Sequence, residues 1–242
     1  MRPFTTMVYR QLKRFVRARS RLIGSIANSV VWLVFFGVGF SGFVKNYLSF
    51  LAPGIFIMAV FNYSVFSGMS VIWDKEFGFL KEVLVAPSSR KEVIAGRIFG
   101  DSLVSIAQGL LILILSFGLV RMNPLGIPPA TFFGFAVALC FSSMGVVIAL
   151  KMKSMEGFHA IMSVLILPTI FLSGALFPIK YMPAWMRVIA YLNPMTYAVD
   201  GARFFLTGIG EIGATFDFLA ISIVSVVSIL LATISFERTG LE

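Results

Sequence analysis

The sequence predicts an all-helical integral membrane protein. Six transmembrane helices form its body, an amphipathic interfacial helix precedes them, a short helix lies in the largest inner loop, and two half-helices come before the last span. Three observations carry this. Of 242 residues, 58% are hydrophobic and 13% charged, against about half and a quarter in a soluble domain. Six stretches long enough to span a bilayer contain no charged residue. The basic residues are also unevenly divided between the two sides. With a mean hydropathy of +0.94, this much apolar surface cannot be hidden in one water-soluble core, which excludes a cytosolic enzyme or a secreted domain.

The charge-free stretches are Leu22–Val44, Asn46–Trp73, Ser102–Val120, Met122–Leu150, Ala160–Ile179 and Phe218–Phe236. Allowing for interfacial loop, notably Pro124–Pro129, they place spans at about 22–44, 48–72, 102–120, 130–150, 160–178 and 217–236. All belong to one transmembrane domain covering 1–242. Pro53 and Pro168 fall near or within spans, where neighbouring helices tolerate a kink. With the N-terminus inside, fifteen Lys and Arg lie on the inner side and five on the outer. This bias puts both termini in the cytoplasm and the chain in the cell (inner) membrane. The basic start is too long, and the first span too complete, for a cleaved signal peptide.

Residues 3–21 carry much of the net charge of +9. Phe4, Val8, Leu12 and Phe15 recur on one face, and Arg10, Arg14, Arg17 and Arg21 share another. The pattern predicts a helix in the membrane boundary with its arginines toward headgroups and cytosol. Anionic lipid would hold it by about 1 kcal/mol per basic residue. In the loop 74–101, Phe77, Leu80, Val83 and Leu84 interleave with Lys81 and Glu82, giving a short amphipathic helix that Pro87 ends. Ser89 and Glu92 then form a capping box that starts the next helix. Such a knob suits the docking of a soluble partner, and equally suits packing against its own bundle. On the outer side, 178–215 is too polar to span. Pro178, Pro183 and Pro194 cut it into pieces in which Trp185, Ile189 and Leu192, then Tyr197, Gly201, Phe204 and Phe205, recur at helical spacing. Tyr181, Trp185, Tyr191 and Tyr197 are aromatics of the headgroup boundary.

The spans as drawn hold no deep ionisable residue, which argues against proton coupling and against an intramembrane hydrolase. No G-x-x-x-x-G-K-[ST] motif occurs, so ATP, if used, is bound elsewhere. Asn28, Asn62 and Gln108 and the serines read first as interhelical hydrogen bonds; Asn28, Asn62 and Ser67 are the candidates for lining a path. Gly96 and Gly100, four apart, permit a close helix approach. Cys140 reads as a small buried hydrophobe and His159 as an interfacial residue rather than a relay or ligand. Asp200-Gly201-Ala202-Arg203 matches the start of a CDP-alcohol phosphotransferase signature, but the next acids, Glu211 and Asp217, fall outside that pattern. No catalytic, cofactor or metal residue is assigned.

Two sets of motifs carry a family resemblance. Trp73–Pro87, reading WDKEFGFLKEVLVAP, resembles the loop after the second span of ABC type-2 transporter permeases, with Phe79 where a small or hydroxylated residue is common. Leu172–Pro178, Met182–Trp185 and Asn193–Tyr197 are similar to that family's fifth span and outer half-helices. The resemblance covers nearly the whole chain. It implies a permease of drug, lipid-linked glycan or nodulation-factor exporters, paired with a second permease chain and with two cytoplasmic ATPase subunits that bind ATP and Mg. By position, Asp74, Glu76, Phe77, Gly78, Leu80, Val83, Leu84 and Pro87 would form the ATPase-coupling segment, and Arg10, Arg14, Arg17 and Arg21 would mark the connecting helix. Gly174, Pro178, Pro183, Trp185, Asn193, Pro194 and Tyr197 would close the path outside. The leading expectation is thus the membrane subunit of an ATP-driven exporter of an amphipathic, lipid-like cargo, not itself an enzyme. A proton-coupled or facilitative transporter is the second reading, and a membrane-embedded lipid-modifying enzyme the third.

Overall fold

The structure, a computed structural model, describes residues 3–42, 46–78, 89–152 and 154–238. Among these, every regular element is helical: α1 (Pro3–Arg17), α2 (Arg19–Ser41), α3 (Tyr47–Ser67), α4 (Met69–Glu76), α5 (Arg90–Phe117), α6 (Ile127–Lys151), α7 (Met155–Phe171), α8 (Ala184–Leu192), α9 (Pro194–Thr207) and α10 (Ala214–Arg238). Single turns of 3-10 helix at Pro124–Gly126 and Ile179–Tyr181 complete them. Four units are long and apolar enough to cross a membrane: Tyr47–Glu76, Arg90–Phe117, Pro124–Lys151 and Ala214–Arg238. Ile26–Phe40 and Met155–Phe171 are shorter apolar helices, so the crossings expected at 22–44 and 160–178 correspond to these.

Several boundaries move for local reasons. The N-terminal helix stops at Arg17 rather than running to residue 21, because Ala18 leaves the helical region (φ −91°, ψ 58°) before α2 begins. The third crossing starts at Arg90 instead of residue 102. Ser89 accepts a hydrogen bond from the Glu92 amide, and helix then propagates through the charged stretch into the apolar one. In α7 the helix runs through Pro168 and ends at Phe171, and 172–178 form a tight turn with Gly174 at φ +74°. Pro53 likewise sits inside α3.

α3 is apolar on nearly every side and is buried accordingly. It packs on α2, α5, α6 and α9. Against α6 it comes to backbone contact: a Cβ on Gly68 would strike the Gly145 carbonyl, and one on Gly145 would lie 2.7 Å from the Val65 carbonyl. Phe61 and Phe141 stack edge-on across the same seam at 4.6 Å. α10 lies along α6 with an inverted pattern. Its buried residues are Asp217, Ile221, Ser225, Ser228, Ala232 and Phe236, while Ile223, Val226, Val227, Leu230 and Leu231 are exposed. A small and polar face turned inward with aliphatic residues outside is the arrangement of a helix whose solvent is lipid. Cys140 is buried on α6 beside Ser228.

Candidate functional site

The inner end, as the sequence reading orients the chain, is organised by Asp74. This residue ends an apolar run and sits on α4, one turn before the loop. Arg10 of α1 grips it with both guanidinium nitrogens (2.7 and 3.1 Å). Arg97 of α5 donates to it at 2.6 Å and to the Ser70 hydroxyl at 2.5 Å. The next residue, Lys75, donates to the carbonyls of Ala149, Leu150 and Met152 at the C-terminal end of α6, where a cation complements orphan carbonyls and the helix dipole. Two adjacent side chains thus tie the C-terminal turn of α4 to α1, α5 and α6. Beyond the root, Glu76 and Phe77 face outward, Phe77 being 83% exposed, and Gly78 takes φ +77°.

α1 docks on α5 rather than lying free in the boundary. A Cβ on Gly96 would stand 2.5 Å from the Phe4 carbonyl, and one on Gly100 would be 3.1 Å from Val8 and Gln11. The small pair therefore does mediate a close approach, and its partner is the interfacial helix. The expected apolar face is divided between protein and surroundings: Met7 and Gln11 are the buried residues of α1, Phe4, Val8 and Phe15 are half-buried, and Leu12 is exposed. The arginines divide: Arg10 turns in to Asp74, Arg14 lies over the Trp73 ring at 5.2 Å, and Arg17 is exposed.

Above this clamp lies a cavity of about 370 Å³ between α2, α3, α5 and α7. Asn28 and Asn62, singled out as path candidates, both line it, together with Gln108, Tyr63 and His159. The Gln108 side-chain nitrogen is buried with no hydrogen-bond partner among the described residues, leaving a buried amide donor at the cavity wall. His159 is exposed and lies beside Phe66 (ring centroids 5.8 Å). Ser67, the third candidate, lines a neighbouring cavity of about 280 Å³ with Ser70, Trp73 and Arg14, and Tyr63 borders both.

At the outer end the two half-helices form as α8 and α9, divided at Pro183 and Pro194. Asn193 joins them: its carbonyl oxygen caps the Met195 amide and its amide donates to the Thr169 carbonyl of α7 at 2.7 Å. The Tyr197 hydroxyl donates to the Tyr191 carbonyl. Trp185 is 66% exposed, and Pro178 introduces the Ile179–Tyr181 turn. The gate candidates thus divide into a pinned set (Gly174, Asn193, Pro194, Tyr197) and an outward-facing Trp185. Asp200 accepts from the Glu211 and Ile212 amides. Arg203 donates to the carbonyls of Phe50 (3.1 Å) and Gly174 (2.8 Å) and lies 3.7 Å over the Phe50 ring. Burial lowers the Arg203 pKa to about 10, against the opposing effect of Asp200 and Glu211, so the group stays charged at neutral pH. Both residues of the Asp200–Arg203 match are thus consumed in holding the fold.

Sequence reasoning missed Arg97 and Lys75 as site residues. Asp74, Arg97 and Asp101 lie on the flanks of the expected spans, and all three are buried on helices long and apolar enough to cross. One signal was available: once Ser89 starts a helix, Arg97 and Asp101 are four apart on the face that also carries Val93. Leu80, Val83, Leu84 and Pro87, and the side chain of Arg21, lie outside the described residues.

A family model described as ABC-2 type transporter matches residues 2–206. The ycf38 protein of Cyanophora paradoxa, named as a transport permease, is 33% identical over 203 residues, covering 78% of this chain and 70% of that one. The daunorubicin resistance ABC transporter permease protein DrrB1 of Streptomyces coeruleorubidus is 27% identical, covering 84% and 74%. The inner membrane transport permease YadH of Escherichia coli K12 is 24% identical, covering 89% and 88%.

Proposed function

Because the chain belongs to the ABC-2 type transporter family, as a transport permease rather than an enzyme, we propose that it is the membrane subunit of an ATP-driven exporter of an amphipathic, lipid-like, glycolipid or drug substrate. The family implies an ABC ATPase as partner. In our reading two ATPase copies bind from the cytoplasm, ATP and Mg are held there, and a second permease chain completes the route. Six crossings with both termini cytoplasmic belong to the same proposal.

The observation that carries it is the anchoring of the loop root. A push on the 74–89 segment is felt at once by α1 and α5 through Asp74, by α6 through Lys75, and by α3 through α4. An ATPase seated against Glu76, Phe77 and the residues that follow therefore moves several helices together, as a hinge transition requires. The cavity holding Asn28, Asn62 and Gln108 has two of these connected helices, α3 and α5, in its wall, and in this reading it forms part of the path. The pinned outer residues close that path, and Trp185 meets the headgroup boundary.

The test is reconstitution of the full chain with its ATPase in vesicles. Transport should require ATP, and Glu76→Lys or Leu84→Asp should leave ATP hydrolysis running while transport falls. Unchanged coupling in both variants overturns the docking role, and transport without any ATPase overturns the whole reading. Arg187→Cys should label from outside and Lys91→Cys from inside; the reverse reverses the orientation.

A further inference from the structure

We propose that the cleft between α1 and α4 is a binding site for the phosphate headgroup of an anionic membrane lipid. The cleft has a volume of about 600 Å³ and is lined by Arg10, Lys13, Arg14 and Arg17 on one side and by Trp73 on the other. Its one acid among the described residues, Asp74, is already saturated, with one oxygen held by Arg10 and the other shared between Arg10 and Arg97. α1 itself carries no acidic residue. Once the Asp74 pairing is counted, Lys13, Arg14 and Arg17 leave the cleft with an excess of positive charge, and the nearest further acid among the described residues is Asp101, across Arg14 in the neighbouring cavity.

Arg14 is the centre of the site. Its guanidinium lies against Trp73, and one terminal nitrogen is buried with no hydrogen-bond partner among the described residues. Burial holds its pKa below the ordinary arginine value; Asp74 and, more weakly, Asp101 oppose this, and Arg10 and Arg97 add to it. A phosphate oxygen would supply both the missing acceptor and the missing charge, in the forked geometry that guanidinium groups favour. The surroundings suit a lipid better than a free ion. Tyr9, with the Lys13 ammonium 5.4 Å from its ring centroid, and Val16 are exposed on the Lys13 side of α1, offering an apolar surface for acyl chains, and Trp73 is of the residue type that settles at the headgroup level. Arg14, Ala18 and Trp73 also border the cavity that holds Ser67, so a bound headgroup would sit beside the entry to the interior. The site stands whether or not the chain exports anything.

Native mass spectrometry of the purified full-length chain, titrated with dioleoyl phosphatidylglycerol or with dioleoyl phosphatidylcholine, tests this. The anionic lipid should be retained in preference. Arg14→Gln should weaken its retention about fivefold, which corresponds to about 1 kcal/mol for one basic residue at a lipid surface. Lys13→Gln changes only an exposed rim side chain and should weaken it in the same direction without threatening the fold. Arg14→Lys should restore part of the loss, and Lys180→Gln, on the outer turn, should change nothing. Displacement of the lipid by millimolar glycerol phosphate would mark recognition of the phosphate alone; persistence of an Arg14-dependent complex would mark the whole lipid as the ligand. Equal retention of the two lipids, or wild-type retention of phosphatidylglycerol in both Arg14→Gln and Lys13→Gln, overturns the site.

Discussion

The two ends of this bundle each bury charge, and they solve the problem differently. At the inner end a carboxylate, Asp74, is shared by two arginines from two other helices. At the outer end Arg203 is satisfied by two main-chain carbonyls and a phenyl ring, and Asp200 by two main-chain amides. The outer solution fixes each charge to backbone that is itself held in place. The inner one fixes side chains to side chains on elements separate in sequence. A contact of that kind can be exchanged, because each partner keeps its charge when the geometry changes. We therefore read the outer end as a lid frame and the inner end as a joint.

Loss of Asp74 gives the largest expected effect. Asp74→Ala leaves Arg97 buried and unpaired, and breaking a buried pair costs about 3–5 kcal/mol. Thermal unfolding in detergent should show it, and Arg97→Met in the same chain should recover much of the loss. Arg203→Met follows at about 1–3 kcal/mol, since it strands the carbonyls of Phe50 and Gly174. If this variant proves worse than Asp74→Ala, the assignment of joint and frame is inverted. Gly96→Ala should cost about 1–3 kcal/mol by forcing α1 off α5, read as faster tryptic cleavage at Lys13 and Arg17. Arg10→Ala should cost less than Asp74→Ala, because Arg10 is 31% exposed and Arg97 still holds the carboxylate. Smallest of all is the Lys91–Glu237 pair, 66% and 41% exposed; Lys91→Ala should shift stability by less than about 1 kcal/mol.

What the sequence made legible was local. The Ser89 cap is written three residues from Glu92, the half-helices are written in Pro183, Asn193 and Pro194, and α1 is written in its spacing. Among the described residues the apolar runs fall on four helices long and apolar enough to cross and on two shorter apolar ones, because composition alone decides which segments avoid water. The pairing of Asp74 with Arg97 was not legible, since a count of charges cannot say which of them meet across 23 positions. The same holds for the face of α1. Periodicity predicts that one side is apolar, but Gly96 and Gly100 on another helix decide which side is covered. Asn28 and Asn62 were picked out because polar residues are scarce in the spans, and they fall on the same cavity.

The seating of Phe4 against Gly96 has a consequence for biogenesis. Translation produces α1 before the helix that receives it, and Gly96 is polymerised only after α2, α3 and α4 have been synthesised. Until then the segment can meet only α2, α3 and α4 and lacks its seat on α5, and it rests at the lipid–water boundary, which its alternating basic and apolar residues suit. Final docking of α1 is therefore a late event, and nascent chains arrested before residue 100 should show this segment still open to protease.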